Sequence, residues 1–310
     1  MIVVKDVYKT LRIENESKTV LDNISFHIAE NECVGIIGKN GAGKTTMLNV
    51  LSGIWKADRG FIRISGCRDT LKDFDVLKKL AYVSGNKSQL WNDLNLKYSF
   101  DNCAKMYGIK KEHYKQRLEE LLDLFEIREC IEMPVTNLSL GQRIRGELIY
   151  ALLPEPEILF LDEALIGLDV SIKEKVMKHL LHLKNEKKIT IIYTSHNLTE
   201  VERLCDRIIL IDSGRIIYDD NLTKLMKEYA PTYQLVIDIA GENPDLEDLP
   251  VERYEIDGDV QRIWFVKQKI EPAIIIKHIS SRCVINDMKL IEPNLEDTIK
   301  NIYRKGLKND

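Results

Sequence analysis

The chain has 310 residues, 44% hydrophobic and 30% charged, enough for one large domain with a small companion or for two of moderate size. Its net charge is −4: residues 231–310 carry 15 acidic and 11 basic side chains and the first 230 are balanced at 34 of each, so no block has the positive excess of a nucleic-acid binder. No run nears the ~20 apolar residues that span a bilayer, the start Met1-Ile2-Val3-Val4-Lys5-Asp6 is a strand pattern rather than a signal peptide, and the six scattered cysteines, with no C-x-x-C, read as reduced rather than as a disulfide frame or zinc site.

In chain order, short apolar runs at 2–4, 20–28 and 33–37 read as strands. The last, Cys33-Val34-Gly35-Ile36-Ile37, runs straight into Gly38-Lys39-Asn40-Gly41-Ala42-Gly43-Lys44-Thr45, with Thr46 next. This is the pattern G-x-x-x-x-G-K-[ST], at the exit of a buried strand and the entrance of a helix expected over 44–51 and ended near Gly53. Glycines in such a loop let backbone N–H groups close around phosphate oxygens without Cβ clashes. The N-terminus of the following helix adds a favourable dipole. Lys44 suits the β- and γ-phosphates and Thr45 suits Mg²⁺. The bland alternative, a chance Gly-rich turn, fits poorly with a full match flanked by apolar residues on both sides.

A strand bracketed by glycines follows at 60–66, then a short helix at 75–79 and a strand at 80–84. From 96 to 130 the period becomes helical, with Tyr98, Phe100 and Tyr107, then Leu118, Leu121, Leu122 and Phe125. This marks a helical insert at about 90–150. Leu138-Ser139-Leu140-Gly141-Gln142 precedes a helix expected over 143–153. Ser139 and the Gly141 amide suit an anion at that helix start, although alone the segment would be an ordinary N-cap. The strand 158–162 ends in Asp162-Glu163, and that end of a parallel sheet is where ligands bind. Asp162 suits Mg²⁺ through water, and Glu163 suits a water aimed at the γ-phosphate. Strands at 190–194 and 207–211 follow; the first leads through Tyr193-Thr194-Ser195 into His196, within reach of the same phosphate. A lone histidine is more often a satisfied surface or core residue. Strands alternating with helices predict a mostly parallel sheet covered on both faces.

That pattern ends near 228. Pro231 marks a boundary, and residues 229–310 read as a smaller α+β unit. Its strands are expected at 234–239, 252–256, 260–266 and 284–290, with helices at 272–279 and after Pro293, and a hairpin turn at Asp257-Gly258.

The order of these motifs (the Walker A loop, Leu-Ser-x-Gly-Gln, a Walker B strand with its Glu, Gly-Leu-Asp and Ser-His) resembles the ATP-binding cassette (ABC) ATPase family over about residues 1–228. The resemblance implies an α/β P-loop NTPase core, a RecA-like mostly parallel sheet plus an antiparallel β subdomain, with a helical insert and a small C-terminal α+β domain. It implies ATP and Mg²⁺ as ligands, Glu163 and His196 as catalytic groups, and a head-to-tail pair of cassettes. Each ATP would lie between Gly38 to Thr46 of one copy and Ser139, Gly141 and Gln142 of the other, with Asp169 of Gly167-Leu168-Asp169 at the seam. The partners implied are transmembrane permease subunits and a second ATPase subunit, a homodimer, on the cytoplasmic face of the cell membrane, with no nucleic acid. Shorter likenesses at 85–93 and 291–297 point to the exporter branch, in which the ATPase is a separate polypeptide with a C-terminal extension.

Several positions depart from the family pattern. Leu140 stands where Gly is common, and Ala164-Leu165 replaces Pro-Thr. The adenine-stacking aromatic is replaced by Leu11. The glutamine expected after strand 80–84 has two candidates, Asn86 and Gln89. Two other readings compete: a soluble ABC-type ATPase remodelling a nucleic-acid or ribosomal partner, disfavoured by the single cassette and absent basic patch, and a different P-loop enzyme such as a kinase or GTPase, disfavoured by the signature segment and His196. The C-terminal unit is expected to serve dimer contact, with regulator binding and cargo recognition as alternatives.

Overall fold

The computed structural model describes residues 2–13, 16–67, 73–85, 87–230, 232–241 and 244–305. The chain begins with β1 (Ile2–Ile13), β2 (Glu16–Ile28), β3 (Cys33–Gly38), α1 (Lys44–Leu51), β4 (Arg59–Ile64), α2 (Phe74–Leu77) and β5 (Leu80–Ser84). The helical insert follows as α3 (Leu96–Tyr107), α4 (Lys111–Leu124) and α5 (Leu140–Leu152). Then come β6 (Ile158–Asp162), α6 (Val170–Asn185), β7 (Thr190–Thr194), α7 (Leu198–Leu204), β8 (Arg207–Asp212) and β9 (Arg215–Asn221).

Six strands form one sheet in the order β5-β6-β7-β3-β8-β9. The first five run parallel and β9 antiparallel. β6 and β7 are buried at every residue, as continuous apolar runs covered on both faces must be. A second sheet, antiparallel in the order β2-β1-β4, shares one core with α1 and the parallel sheet: Ile2, Leu21 and Ile24 are buried together with Met47, Leu48, Val34 and Ile36. This agrees with the expected core of parallel sheet plus antiparallel subdomain.

β9 is absent from the sequence reading. Its residues, Arg-Ile-Ile-Tyr-Asp-Asp-Asn, are mostly half-buried and carry three charges, so no apolar run announces it. The overlooked signal is the turn before it: Ser213 and Gly214 both have positive φ, 49° and 78°, the conformation that two-residue hairpins require. α5 also starts earlier than the expected residue 143, because Ser139 closes a capping box with Gln142 and sets the first turn.

The chain divides into two compact units, Met1–Asn221 and Leu222–Asp310. The division falls ahead of the expected 228/229. The reason is α8 (Leu222–Tyr229), which packs on α10 (Leu295–Lys305); the Thr298 hydroxyl reaches Met226 Sδ at 3.7 Å. The second unit also holds β10 (Thr232–Ala240), β11 (Arg253–Asp257), β12 (Val260–Val266), α9 (Pro272–Ser280) and β13 (Val284–Ile291). Its antiparallel sheet has the order β11-β12-β10-β13. Leu235, Ile237, Ile239, Ile263 and Phe265 pack from the strands onto Ile275 and Ile279 of α9. Among the described residues, no helix is long and apolar enough to cross a membrane.

Candidate functional site

The loop between β3 and α1 is shaped by backbone approach. A Cβ on Gly38 would stand 2.6 Å from the Ile211 carbonyl oxygen, and one on Gly43 would stand 2.8 Å from that of Val20. Gly43 also has φ 109°, a conformation that side chains resist. Gly43 is the N-cap of α1, which has no side-chain cap and no acidic residue in its first turn. The first N–H groups of that helix are therefore left to an external acceptor, and the helix dipole favours an anion there. Lys44 is only 7% exposed. Its Nζ donates to the carbonyls of Gly38 (2.7 Å) and Lys39 (3.2 Å). Burial lowers its pKa, and the carboxylates of Glu163 and Asp162 act in the opposite direction. Thr45 is exposed at the helix start and Thr46 is buried.

Asp162 ends β6 beside Thr194, which ends β7, the two being register partners. The Thr194 hydroxyl donates to Asp162 Oδ1 at 2.8 Å, and the Tyr82 hydroxyl from β5 donates to Oδ2 at 3.1 Å. Burial, with Asp162 adjacent, raises the Tyr82 pKa, so its hydroxyl stays protonated and donating. Thr194 also receives the Glu163 N–H, at 3.1 Å on both its hydroxyl and its carbonyl. Glu163 itself has φ 53°, an uncommon state costing of order 1–2 kcal/mol for a residue with a Cβ. This turn aims its side chain at His196, whose Nε2 lies 2.7 Å from Glu163 Oε1. Lys44, Asp162, Glu163 and His196 thus share one end of the sheet. Tyr82 and Thr194 belong to the same cluster and were not singled out by sequence.

An anion–metal pair fits this donor set: free helix N–H groups and an ammonium for phosphate, and a hydroxyl and a carboxylate, both oxygen ligands, for a hard cation. The loop after β5 is arranged differently from expectation. Asn86 lies outside the described residues. Gln89 turns its side-chain amide back to the Tyr82 carbonyl, and its backbone N–H donates to Glu147 at 2.9 and 3.1 Å. Its side chain is therefore engaged with β5. Glu147, buried on α5, also accepts from the Ser88 hydroxyl and from the Leu90 N–H at 3.5 Å. Burial raises its pKa against those hydrogen bonds.

Ser139 and Gln142 bond each other reciprocally. The Ser139 N–H donates to Gln142 Oε1 at 2.8 Å, and the Gln142 N–H to Ser139 Oγ at 3.2 Å. The Gln142 side chain is thus committed to the cap. A Cβ on Gly141 would lie 3.1 Å from the Gly167 carbonyl, and one on Gly167, at φ 83°, would strike Leu140 at 2.8 Å. The two glycines let the signature turn and the Gly167-Leu168-Asp169 loop pack closely. Asp169 caps α6, accepting from the Ile172 N–H at 3.0 Å. Leu11 is half-buried on β1, paired with Lys18 of β2.

A family model described as "ABC transporter" matches residues 21–166. Similar proteins include the ABC transporter ATP-binding protein NatA of Bacillus subtilis (strain 168), 30% identical over 225 residues, covering 73% of this chain and 91% of that protein. The linearmycin resistance ATP-binding protein LnrL of the same bacterium is 27% identical over 301 residues, 94% of this chain and 96% of that one. The methionine import ATP-binding protein MetN of Francisella tularensis subsp. holarctica (strain OSU18) is 34% identical over 219 residues, but this covers only 70% of the chain and 63% of MetN. Among solved structures, the dimeric, post-hydrolysis ATP-binding cassette MJ0796 bound to ADP and Pi matches with a TM-score of 0.65 and 27% identity, over 72% of this chain and 99% of that one.

Proposed function

Because this chain belongs to the ABC transporter ATP-binding family and is an ATPase, we propose that it energises an exporter whose membrane-spanning permease subunits are separate polypeptides. It would work at the cytoplasmic face of the membrane, as a head-to-tail pair of copies. The observation that carries the reading is the convergence of Lys44, Asp162, Glu163 and His196 at the carboxyl end of one parallel sheet. In the proposal, Lys44 exchanges its two carbonyls for the β- and γ-phosphates, and the uncapped start of α1 takes phosphate oxygens. Glu163 holds the attacking water, and His196 orients Glu163 and senses the γ-phosphate. Thr45 and Asp162 would hold Mg²⁺, which supplies charge neutralisation at the phosphate oxygens. Ser139 and Gly141 act on the nucleotide of the other copy, and Asp169 lies at the seam.

Export is favoured by the extent of the likeness. The match to LnrL, named for resistance, runs through the C-terminal unit, whereas the match to the importer MetN covers only 70% of the chain. Resistance to a toxic compound is most directly met by expelling it.

Two variants test the site. Glu163→Gln retains ATP affinity but loses at least ~100-fold in turnover, the scale of a general base, and traps ATP in the closed cassette pair. Lys44→Ala loses ATP binding. Full turnover in the first, or undiminished ATP binding in the second, defeats the assignment. Direction is read in inside-out vesicles containing the chain with its membrane subunits: ATP-driven cargo uptake means export, and ATP-driven release means import.

A further inference from the structure

The C-terminal sheet leaves β13 as an open edge, and exposed apolar side chains stand on it beside Asp287 and Lys289. Met288 is 52% exposed and Leu290 40% exposed. Both stand on the face that buries Ile237 and Leu235, their register partners on β10. An edge strand presents a row of unpaired N–H and C=O groups to another strand.

Three details say which strand. First, the Met288 N–H lies outside the ladder to β10: it donates to the neighbouring Asp287 side chain at 2.8 Å. The backbone of Met288 therefore faces outward, and so does every second residue along the run. Second, Asp287 sits directly opposite Asp238 across the sheet, an arrangement of like charges that destabilises a pair of strands. Neither forms an ion pair among the described residues. Third, Lys289, two residues along the same face, has no carboxylate partner among the described residues.

We infer that β13 pairs antiparallel with β13 of a second copy of this chain, about a two-fold axis through Met288. Directly opposite residues of an antiparallel pair share a face, so only axes through a residue are allowed. An axis through Lys289 would put two ammonium groups opposite each other. An axis through Met288 instead puts Lys289 of each copy opposite Asp287 of the other, twice by symmetry. It also puts the outward Met288 amide and carbonyl opposite their own equivalents, where antiparallel strands exchange two hydrogen bonds. The lysines thereby neutralise the acidic Asp238–Asp287 pairs. The bulge between Asp238 and Ile239, which leaves Asn286 without a register partner on β10 although its side-chain amide donates to Asp238 at 3.2 Å, limits the seam to the few residues around Met288.

The inference deepens the proposed pairing of two copies and supplies a contact that does not require nucleotide. Since both units lie on one chain, pairing through the second raises the effective concentration of the first. Cassettes that separate after hydrolysis would then meet again without a new bimolecular search.

The full chain is tested without nucleotide by sedimentation equilibrium. The wild type self-associates. Asp287→Lys, which sets Lys against Lys289 of the other copy while leaving Lys opposite Asp238 in its own, weakens association at least ~5-fold. The double variant Asp287→Lys/Lys289→Asp restores it to within about threefold of wild type. Met288→Glu abolishes it by placing two carboxylates at the axis. Far-UV circular dichroism matching the wild type establishes that folding is intact. A monomeric wild type, a single reversal without effect, or a double reversal without rescue overturns the inference. The ATP sandwich is read separately: Glu163→Gln carrying Asp287→Lys still pairs in Mg²⁺ and ATP, so failure of one contact is distinguishable from failure of the other.

Discussion

Thr194 joins two residues that sequence reading treats one at a time. Its hydroxyl holds one oxygen of Asp162 and receives the N–H of Glu163, and it is fully buried. With no water to replace it, the loss of that hydroxyl leaves a buried carboxylate oxygen short of a donor, which costs roughly 1–3 kcal/mol. Thr194→Val keeps the shape of the side chain and removes only the hydroxyl. Glu163 then loses one of two bonds fixing its unusual backbone turn, so its alignment with His196 loosens. The expected outcome is ATP binding within a few-fold of wild type and turnover reduced at least ~10-fold, of the order expected when a catalytic base is misplaced. Equal loss of binding and turnover would mean that Thr194 supports the fold rather than the base. Tyr82→Phe, which removes the other donor to Asp162, is milder because Tyr82 is only half-buried and water can substitute.

Between elements, the connection that matters most runs from the loop after β5 to α5. Glu147 gathers the Ser88 hydroxyl and the Gln89 and Leu90 N–H groups onto one buried carboxylate. The loop next to Tyr82 and Asp162 is thereby tied to the helix whose first turn carries Ser139. Glu147→Ala frees three donors at once, and the expected cost is ~1–3 kcal/mol of stability. Hydrogen exchange of the Gln89 and Leu90 amides should rise well above that of the neighbouring β5 amides; unchanged protection there would remove Glu147 from this role. Acidity gives an independent readout. Burial raises the Glu147 pKa in the folded chain, so the folded state binds more protons than the unfolded state between the ordinary Glu value and the raised one. Stability falls as pH rises through that window. The alanine variant lacks this fall, so its stability profile is flatter there than the wild type's.

At the scale of the whole molecule, the parallel core was legible because each of its motifs sits at the end of an apolar strand, and β5, β6 and β7 fall at the expected residues. Strand order was not legible, and that hid Thr194: only when β6 lies next to β7 does the register bring it beside Asp162. The path of the loop after β5 was not legible for a similar reason: the Gln89 side chain turns back on β5 while its N–H donates to the buried Glu147. The compact units divide at Asn221, ahead of the boundary read near 228, because α8 reads in the sequence as a continuation of the core pattern. Leu225 on α8 is fully buried, and α8 packs on α10 of the second unit. This makes the choice of truncation point a physical test. A chain ending at Asn221 keeps all six strands of the larger sheet together with Lys44, Asp162, Glu163 and His196, and it should stay soluble and bind ATP with near wild-type affinity. A chain ending at Tyr229 keeps α8 but loses α10, exposing Leu225; burying a leucine is worth about 1.5–3 kcal/mol, and the exposed stripe invites association. The longer fragment should therefore aggregate more and melt no higher than the shorter one. If it melts higher and stays monodisperse, α8 belongs energetically to the first unit, and the boundary read from the sequence near 228 is the better one.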